Sequence, residues 1–301
     1  MSPKVSIVIP VRDRSSLLRR AVDSVRAQRF RDWELTIVDD GSAEPVSLAW
    51  EPSERISVIR FDESAGVAVA RNEGVGVSRG EWICFLDSDD EWDPDKLLCQ
   101  MNWHDNHPEI LLSQVEEEWF WNGVARKKPK HWRARGGDLF ARSLVRCSIG
   151  PSCVMMKREV WNQSQGFDPA FDVCEDYDLW IRVTAIHRTG LVKGPALVRK
   201  HGGHPDQLSL SVPAMDRFRI VSLLQFWSRE TATEKQKNLV VNEIGRKASR
   251  VREGAQKRGH ADRTELYDEV AHWAESGTQM EAEDLIDRIW REIHAEKSVR
   301  S

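Results

Sequence analysis

The chain has 301 residues, 44 Lys+Arg against 48 Asp+Glu, and a formal net charge of −4. That balance lacks the basic footprint of a general nucleic-acid binder, and a mean hydropathy of −0.53 argues against an integral membrane protein. Apolar runs such as Val5–Val11 are strand-sized, well short of the ~20 residues a spanning helix needs.

In chain order, Val5-Ser-Ile-Val-Ile-Pro10 is a nearly continuous β-branched run, the pattern of a strand covered on both faces. Ser15-Ser16 then offers N-cap side chains ahead of Leu18, Ala21, Val22 and Val25 at helical spacing. Glu34–Val38 predicts a second strand, closed by the turn Asp39-Asp-Gly-Ser42, and Ile56–Arg60 a third. A helix over about 67–78 leads to a fourth strand, Glu81–Leu86. This alternation predicts a mostly parallel sheet with helices on both faces, where ligands bind beyond the carboxyl ends of the strands. Asp39, Asp40, Asp87, Asp89 and Asp90 all follow strands, so the pattern gathers them on one edge.

Past Pro94 a helix is expected to about Asn106. Residues 110–135 mix Trp119, Trp121 and Trp132 with Arg126-Lys-Lys-Pro-Lys130, which reads as a solvated loop or hairpin tip beside Glu116-Glu-Glu118. Glu175–Arg182 has helical character, and a last strand over about 191–199 runs into His201-Gly-Gly-His204. Beyond Pro213 four helices are predicted, the second carrying Val240, Ile244, Ala248, Val251 and Ala255 as one stripe. Five cysteines with no CxxC pair read as reduced thiols, and the opening Met-Ser-Pro-Lys has no signal-like run. The expectation is a cytoplasmic protein.

Four groups of residues carry chemistry. In Asp87-Ser-Asp89-Asp90, crowded carboxylates repel unless a cation lies between them, and oxygen-only donors favour Mg²⁺ or Mn²⁺ over zinc. An EF-hand is excluded, because Trp92 stands where the loop needs glycine. A solvated turn and a phosphatase-type Asp-x-Asp site stay open. Asp40 can accept the imide N–H of a uracil-like base, or simply close a turn. Arg71, near a helix N-terminus, is misplaced electrostatically unless an anion accompanies it, which favours phosphate. Glu175-Asp176 supplies either a general base at Asp176 or a helix cap, with Glu175 paired to Arg182. Gly74-x-Gly76-x-x-x-Gly80 is not a dinucleotide fingerprint.

Five separated motifs, Val5–Pro10, Asp39–Ser42, Ala70-Arg-Asn72, Leu86–Asp90 and Gly166-Phe-Asp168 with Glu175–Arg182, together resemble the family 2 glycosyltransferases over residues 4–210. The resemblance implies an α/β, GT-A-type fold: a mostly parallel central sheet flanked by helices, with a C-terminal helical extension. It implies a catalytic domain over 1–213, divided into a nucleotide-sugar-binding half (1–95) and an acceptor half (96–213), followed by the extension over 214–301. By the same resemblance Pro10 and its successors line the base pocket, Asp40 binds the base and Arg71 reaches the diphosphate. Asp89 holds Mn²⁺ or Mg²⁺ with Asp87 nearby, and Asp176 deprotonates the acceptor hydroxyl. His204, before Pro205, is assigned as a further metal or phosphate contact. Arg12-Asp13 departs from the Tyr-Asn of many relatives, and the Arg12 guanidinium would replace the missing ring by stacking.

The implied reaction is inverting transfer from a nucleotide-diphosphate sugar to a glycan or lipid-linked glycan, in bacterial surface polysaccharide or glycolipid synthesis. It would take place at the inner face of the membrane, with no nucleic-acid partner. A metal-dependent phosphatase, a nucleotide-sugar pyrophosphorylase and a non-catalytic nucleotide-sugar scaffold are the alternatives. Val11-Arg-Asp-Arg14 lacks the glycines a pyrophosphorylase usually places there.

Overall fold

A computed structural model describes residues 2–46, 54–203 and 212–300 of the chain. They fall into two compact units, one of residues 1–139 and 148–207, the other of 140–147 and 208–301. In the first, the apolar run Val5–Val11 forms β1 with every residue buried. It is followed by α1 (Ser15–Arg26), β2 (Trp33–Asp39) and β3 (Ile56–Arg60), then α2 (Val67–Val77) and β4 (Trp82–Phe85). After β5 (Glu91–Trp92) come α3 (Lys96–Asp105), β6 (Leu112–Gln114), β7 (Glu117–Trp121) and β8 (Val124–Arg126). In the second unit lies α4 (Phe140–Val145); the first then resumes with β9 (Val154–Lys157), α5 (Arg158–Ser164), α6 (Glu175–Thr184), β10 (Gly190–Leu191) and β11 (Val198–Gly202).

The main sheet has seven strands in the order β10-β6-β9-β4-β1-β2-β3. β1 is parallel to β2 and β4, and β2 to β3. β9 runs antiparallel to β4 and β6, so the sheet is largely parallel, as expected. The chain steps outward from β1 to β3 and returns to β4 on the far side of β1. That reversal opens a crevice beyond the carboxyl ends of β1 and β4, where Arg12-Asp13 and Asp87–Asp90 follow. Gly80 sets the approach of the turn before β4: a Cβ there would meet the backbone of Val5 at 2.8 Å. Leu18, Ala21, Val22 and Val25 of α1 pack into the core with Val5, Ile7 and Ile9.

A second sheet of four strands, β5-β11-β7-β8, adjoins the crevice through β5. β7 and β8 form a hairpin whose turn residues Asn122 and Gly123 have φ of 49° and 77°, the left-handed pair that a two-residue hairpin requires. Two local expectations need correction. Arg14, not a serine, occupies the N-cap of α1, and no side chain caps it. The single strand expected over 191–199 is two strands in different sheets, β10 and β11; Gly194-Pro195 lies between them, and proline cannot donate to a ladder.

The second unit is helical: α4, then α7 (Asp216–Trp227), α8 (Glu234–Lys257), α9 (Ala261–Ser276) and α10 (Gln279–Arg300). A capping box of Thr233 and Gln236 starts α8, and its stripe of Val240, Ile244, Ala248, Val251 and Ala255 is buried. Arg217 of α7, buried, pairs with Glu292 at 3.0 Å and Glu296 at 2.6 Å on α10.

Candidate active site

The loop after β4 carries three carboxylates, of Asp87, Asp89 and Asp90, with one oxygen of each within 4.8 Å of the others. Each has its own bracing. Asp87 Oδ1 accepts from Arg71 Nη2 at 2.8 Å. Asp89 Oδ2 accepts from Arg14 Nη1 at 3.0 Å, and its carbonyl from Arg20 Nη2. Asp90 accepts from Ser152 Oγ at 2.7 Å and from the His201 N–H at 3.0 Å.

The electrostatics follow from this crowding. Burial raises Asp89, the Asp87 charge raises it further, and Arg14 opposes both. Burial, together with Asp87 and Asp89, pushes Asp90 well above the usual carboxylate range against the pull of Lys200. For Asp87, burial acts upward but Arg71 and Lys200 outweigh it and hold it down. Lys200, on β11, is likewise held well above its ordinary value: its burial is outweighed by Asp90, Glu117 and Asp87. A hard-oxygen donor set with mutually repelling members fits a divalent cation.

Arg71 joins this loop to α6. It is 4% exposed, and its second Nη donates to Glu175 Oε1 at 2.6 Å. Its guanidinium lies 5.1 Å from the Phe167 ring centroid. Next to Arg71, Asn72 exchanges two hydrogen bonds with the Phe167 backbone, at 2.8 and 3.0 Å, so two of the quoted motifs meet here. Burial and the neighbouring Asp176 charge push Glu175 up to about 7, with Arg71 opposing. Asp176 is half-buried in the first turn of α6, and its Oδ1 accepts from the Tyr177 N–H at 2.6 Å. Through Arg71 the start of α6 is thus tied to the acidic loop. Arg182 does not pair with Glu175, the partner given to it in the helix-cap alternative. It binds Asp178 at 2.6 Å, an i,i+4 partner on its own helix face, which leaves Glu175 to Arg71.

The nucleotide-side candidates cluster separately, after β1 and β2. Pro10 is buried within β1, opposite Val38. Asp40 is 5% exposed and accepts from Ser64 Oγ at 2.9 Å, the Ala65 N–H at 2.7 Å and the Gly66 N–H at 3.1 Å. It therefore pins the loop that enters α2. Arg12, exposed, donates to the same Ser64 Oγ at 2.9 Å. Asp39 turns inward to Arg60 at 2.7 Å and to the Ser42 and Val46 amides. His204 lies outside the described residues. Its neighbour His201 is placed at the cluster by its backbone, with its ring stacked 5.3 Å from Phe120.

Lys200, Arg14, Arg20 and Ser152 were not among the candidates read from the sequence, and the helix-cap alternative paired Glu175 with Arg182 rather than Arg71. None belongs to a spaced motif with the carboxylates; only the tertiary fold brings them in.

The glycosyl transferase family 2 model matches residues 6–163. This chain belongs to glycosyl transferase family 2. Among similar proteins, the amylovoran biosynthesis glycosyltransferase AmsB of Erwinia amylovora is 30% identical over 195 residues, covering 59% of this chain and 62% of that protein. The putative colanic acid biosynthesis glycosyl transferase WcaA of Escherichia coli is 35% identical over 197 residues, covering 60% and 66%. An uncharacterized Sinorhizobium fredii protein, y4gI, is 29% identical over 188 residues but is covered over only 20% of its length. The chain thus spans from a fifth to two thirds of these relatives.

In fold, the family 2 chain is similar to S. aureus TarS 1-349 solved in complex with UDP-GlcNAc, with TM-score 0.62, 14% identity and coverage of 91% and 92%. It is also similar to mannosyltransferase PcManGT of Pyrobaculum calidifontis in complex with GDP-Man and Mn²⁺, with TM-score 0.54, 16% identity and coverage of 96% and 79%. The architecture is that of GT-A glycosyltransferases, with a helical C-terminal part. Family membership sets aside the phosphatase and pyrophosphorylase readings.

Proposed function

We propose that this family 2 member is an inverting glycosyltransferase that moves a sugar from a nucleotide-diphosphate donor to an acceptor hydroxyl. The observation that carries the reading is the Arg71 bridge, which ties the acidic loop through Asp87 to Glu175, and so to Asp176. In this reading Asp89 and Asp87 hold Mn²⁺ or Mg²⁺. When bound, the ion supplies Lewis-acid stabilisation of the departing diphosphate.

The remaining roles belong to the chain itself. Asp176 accepts the proton of the acceptor hydroxyl as that oxygen attacks the anomeric carbon, general-base help typically worth ~10²–10⁴ in rate. Arg71, paired with two carboxylates through its two Nη atoms, positions both and adds its charge to the field that the leaving diphosphate meets. Asp40 fixes the Ser64–Gly66 loop against which the base lies, Pro10 forms the pocket's buried wall, and Arg12 stacks on the base. His204 is a further contact for the metal or phosphate.

The acceptor is a glycan or lipid-linked glycan at the inner face of the cell membrane. Relatives whose printed names refer to amylovoran and colanic acid biosynthesis support a role in surface polysaccharide assembly.

The test is incubation with Mn²⁺ and a panel of UDP-, GDP- and dTDP-sugars, followed by release of nucleoside diphosphate. Slow release from one nucleotide class, abolished in Asp89→Asn, is expected. Absence of release, with no nucleotide raising the melting temperature, would contradict the proposal.

A further inference from the structure

Between Glu118 and Asp138 the chain carries six cationic residues, Arg126, Lys127, Lys128, Lys130, Arg133 and Arg135, and no acid, although its net charge is −4. Lys128 folds back onto Glu116 at 2.7 Å and Glu117 at 3.1 Å. The side chains of the other five are exposed. The same segment holds three exposed large apolar side chains: Trp121 at 38%, Val124 at 63% and Trp132 at 38% exposure. Trp121 and Val124 are directly opposed across the hairpin, flanking the Asn122-Gly123 turn. The hairpin tip is therefore apolar, and the cations begin at Arg126, the end of β8, and continue in the segment that follows it.

To the solvated hairpin tip read from the sequence, the opposed Trp121 and Val124 add an apolar element beside the cations. A soluble polyanion would meet the cations but leave the apolar tip in water. An anionic bilayer uses both: the indole and valine enter the headgroup boundary while Lys and Arg meet lipid phosphates. We infer that the β7–β8 hairpin and the turn through Arg135 form a docking surface for an anionic lipid bilayer. Among the described residues no helix is long and apolar enough to cross a membrane, so this attachment is peripheral. β7 is hydrogen-bonded along β11, whose His201 N–H reaches Asp90. Docking would therefore hold the acidic cleft close to a lipid-linked acceptor. The inference extends the transfer reading but is tested without turnover, so the two fail separately.

The experiment is co-sedimentation of the full chain with phosphatidylcholine vesicles, with and without phosphatidylglycerol. Wild type should pellet with the anionic vesicles at low salt and not with neutral ones. Each cation lost should cost about fivefold in partitioning, so Lys127→Glu/Lys130→Glu should lose at least about 25-fold. Trp121→Ser should also weaken binding, while both variants keep wild-type circular dichroism and donor hydrolysis. Failure of wild type to bind anionic vesicles, or equal binding by the variants, would overturn the inference. So would heparin or single-stranded oligonucleotide binding as tight as vesicle binding and indifferent to Trp121→Ser, which would mark a soluble-polyanion site instead.

Discussion

Removing the Arg71 guanidinium gives the sharpest stability prediction. Its side chain is 5% exposed and lies between Asp87 at 2.8 Å and Glu175 at 2.6 Å. Arg71→Ala strands the buried Glu175 carboxylate and unpairs the partly exposed Asp87, and breaking a buried pair from one side costs about 3–5 kcal/mol. At 2–4 °C per kcal/mol for a domain of this size, the melting temperature should fall by roughly 6–20 °C near pH 8. Glu175 already sits at about 7 and, without Arg71, moves higher. A carboxyl raised in the folded state holds its proton there, so its contribution to stability is present below the ordinary value and is lost as pH rises through the folded one. Near pH 5.5 Glu175 is therefore protonated, and the penalty should shrink to about 1–3 kcal/mol, that of an unsatisfied buried group. Glu175→Gln, which keeps an acceptor for Arg71, should change stability by under about 1 kcal/mol near pH 8. Denaturation of all three proteins at both pH values is the assay. A loss below 1 kcal/mol for Arg71→Ala, or the same loss at both pH values, would refute the reasoning.

Other outcomes follow from single contacts. Asp176→Asn should lower turnover by ~10²–10⁴ while leaving the donor KM unchanged, measured by steady-state transfer. Asp40→Ala leaves the Ser64–Gly66 donors without their shared acceptor; it should cost about 1–3 kcal/mol in urea denaturation and raise donor KM more than it lowers kcat. Gly80→Ala forces a Cβ against the Val5 backbone and should destabilise by about 1–3 kcal/mol, read from the urea midpoint.

How far the fold could be read from the sequence depended on pattern length. β1 and β2, each of seven residues, are rich in apolar and β-branched residues over a length at which the strand pattern registers. β5 and β10 are two residues each and β6 three, too short for any period to register. In the second sheet β11 pairs with β5 and β7, which lie far from it in the sequence, so nothing local separates it from β10. In the candidate site, strand-end position gathered the carboxylates of Asp40, Asp87, Asp89 and Asp90 on one edge. Their partners were not legible. Arg71 and Glu175 lie 104 positions apart, and an i,i+4 rule pointed Arg182 to its own helix only once the phase of α6 was known. Lys200 looks like any alternating cation until β11 is set beside β5 and β7.

In the proposed function the acidic loop grips a metal-bound nucleotide while the adjoining helix does the proton chemistry. Calorimetric titration of the cognate nucleoside diphosphate, with and without Mn²⁺, into wild type, Asp176→Asn and Asp89→Asn tests both halves at once. Mn²⁺-dependent binding of equal affinity is expected in wild type and Asp176→Asn, with its loss in Asp89→Asn. Undiminished Mn²⁺-dependent binding by Asp89→Asn would contradict the proposed function.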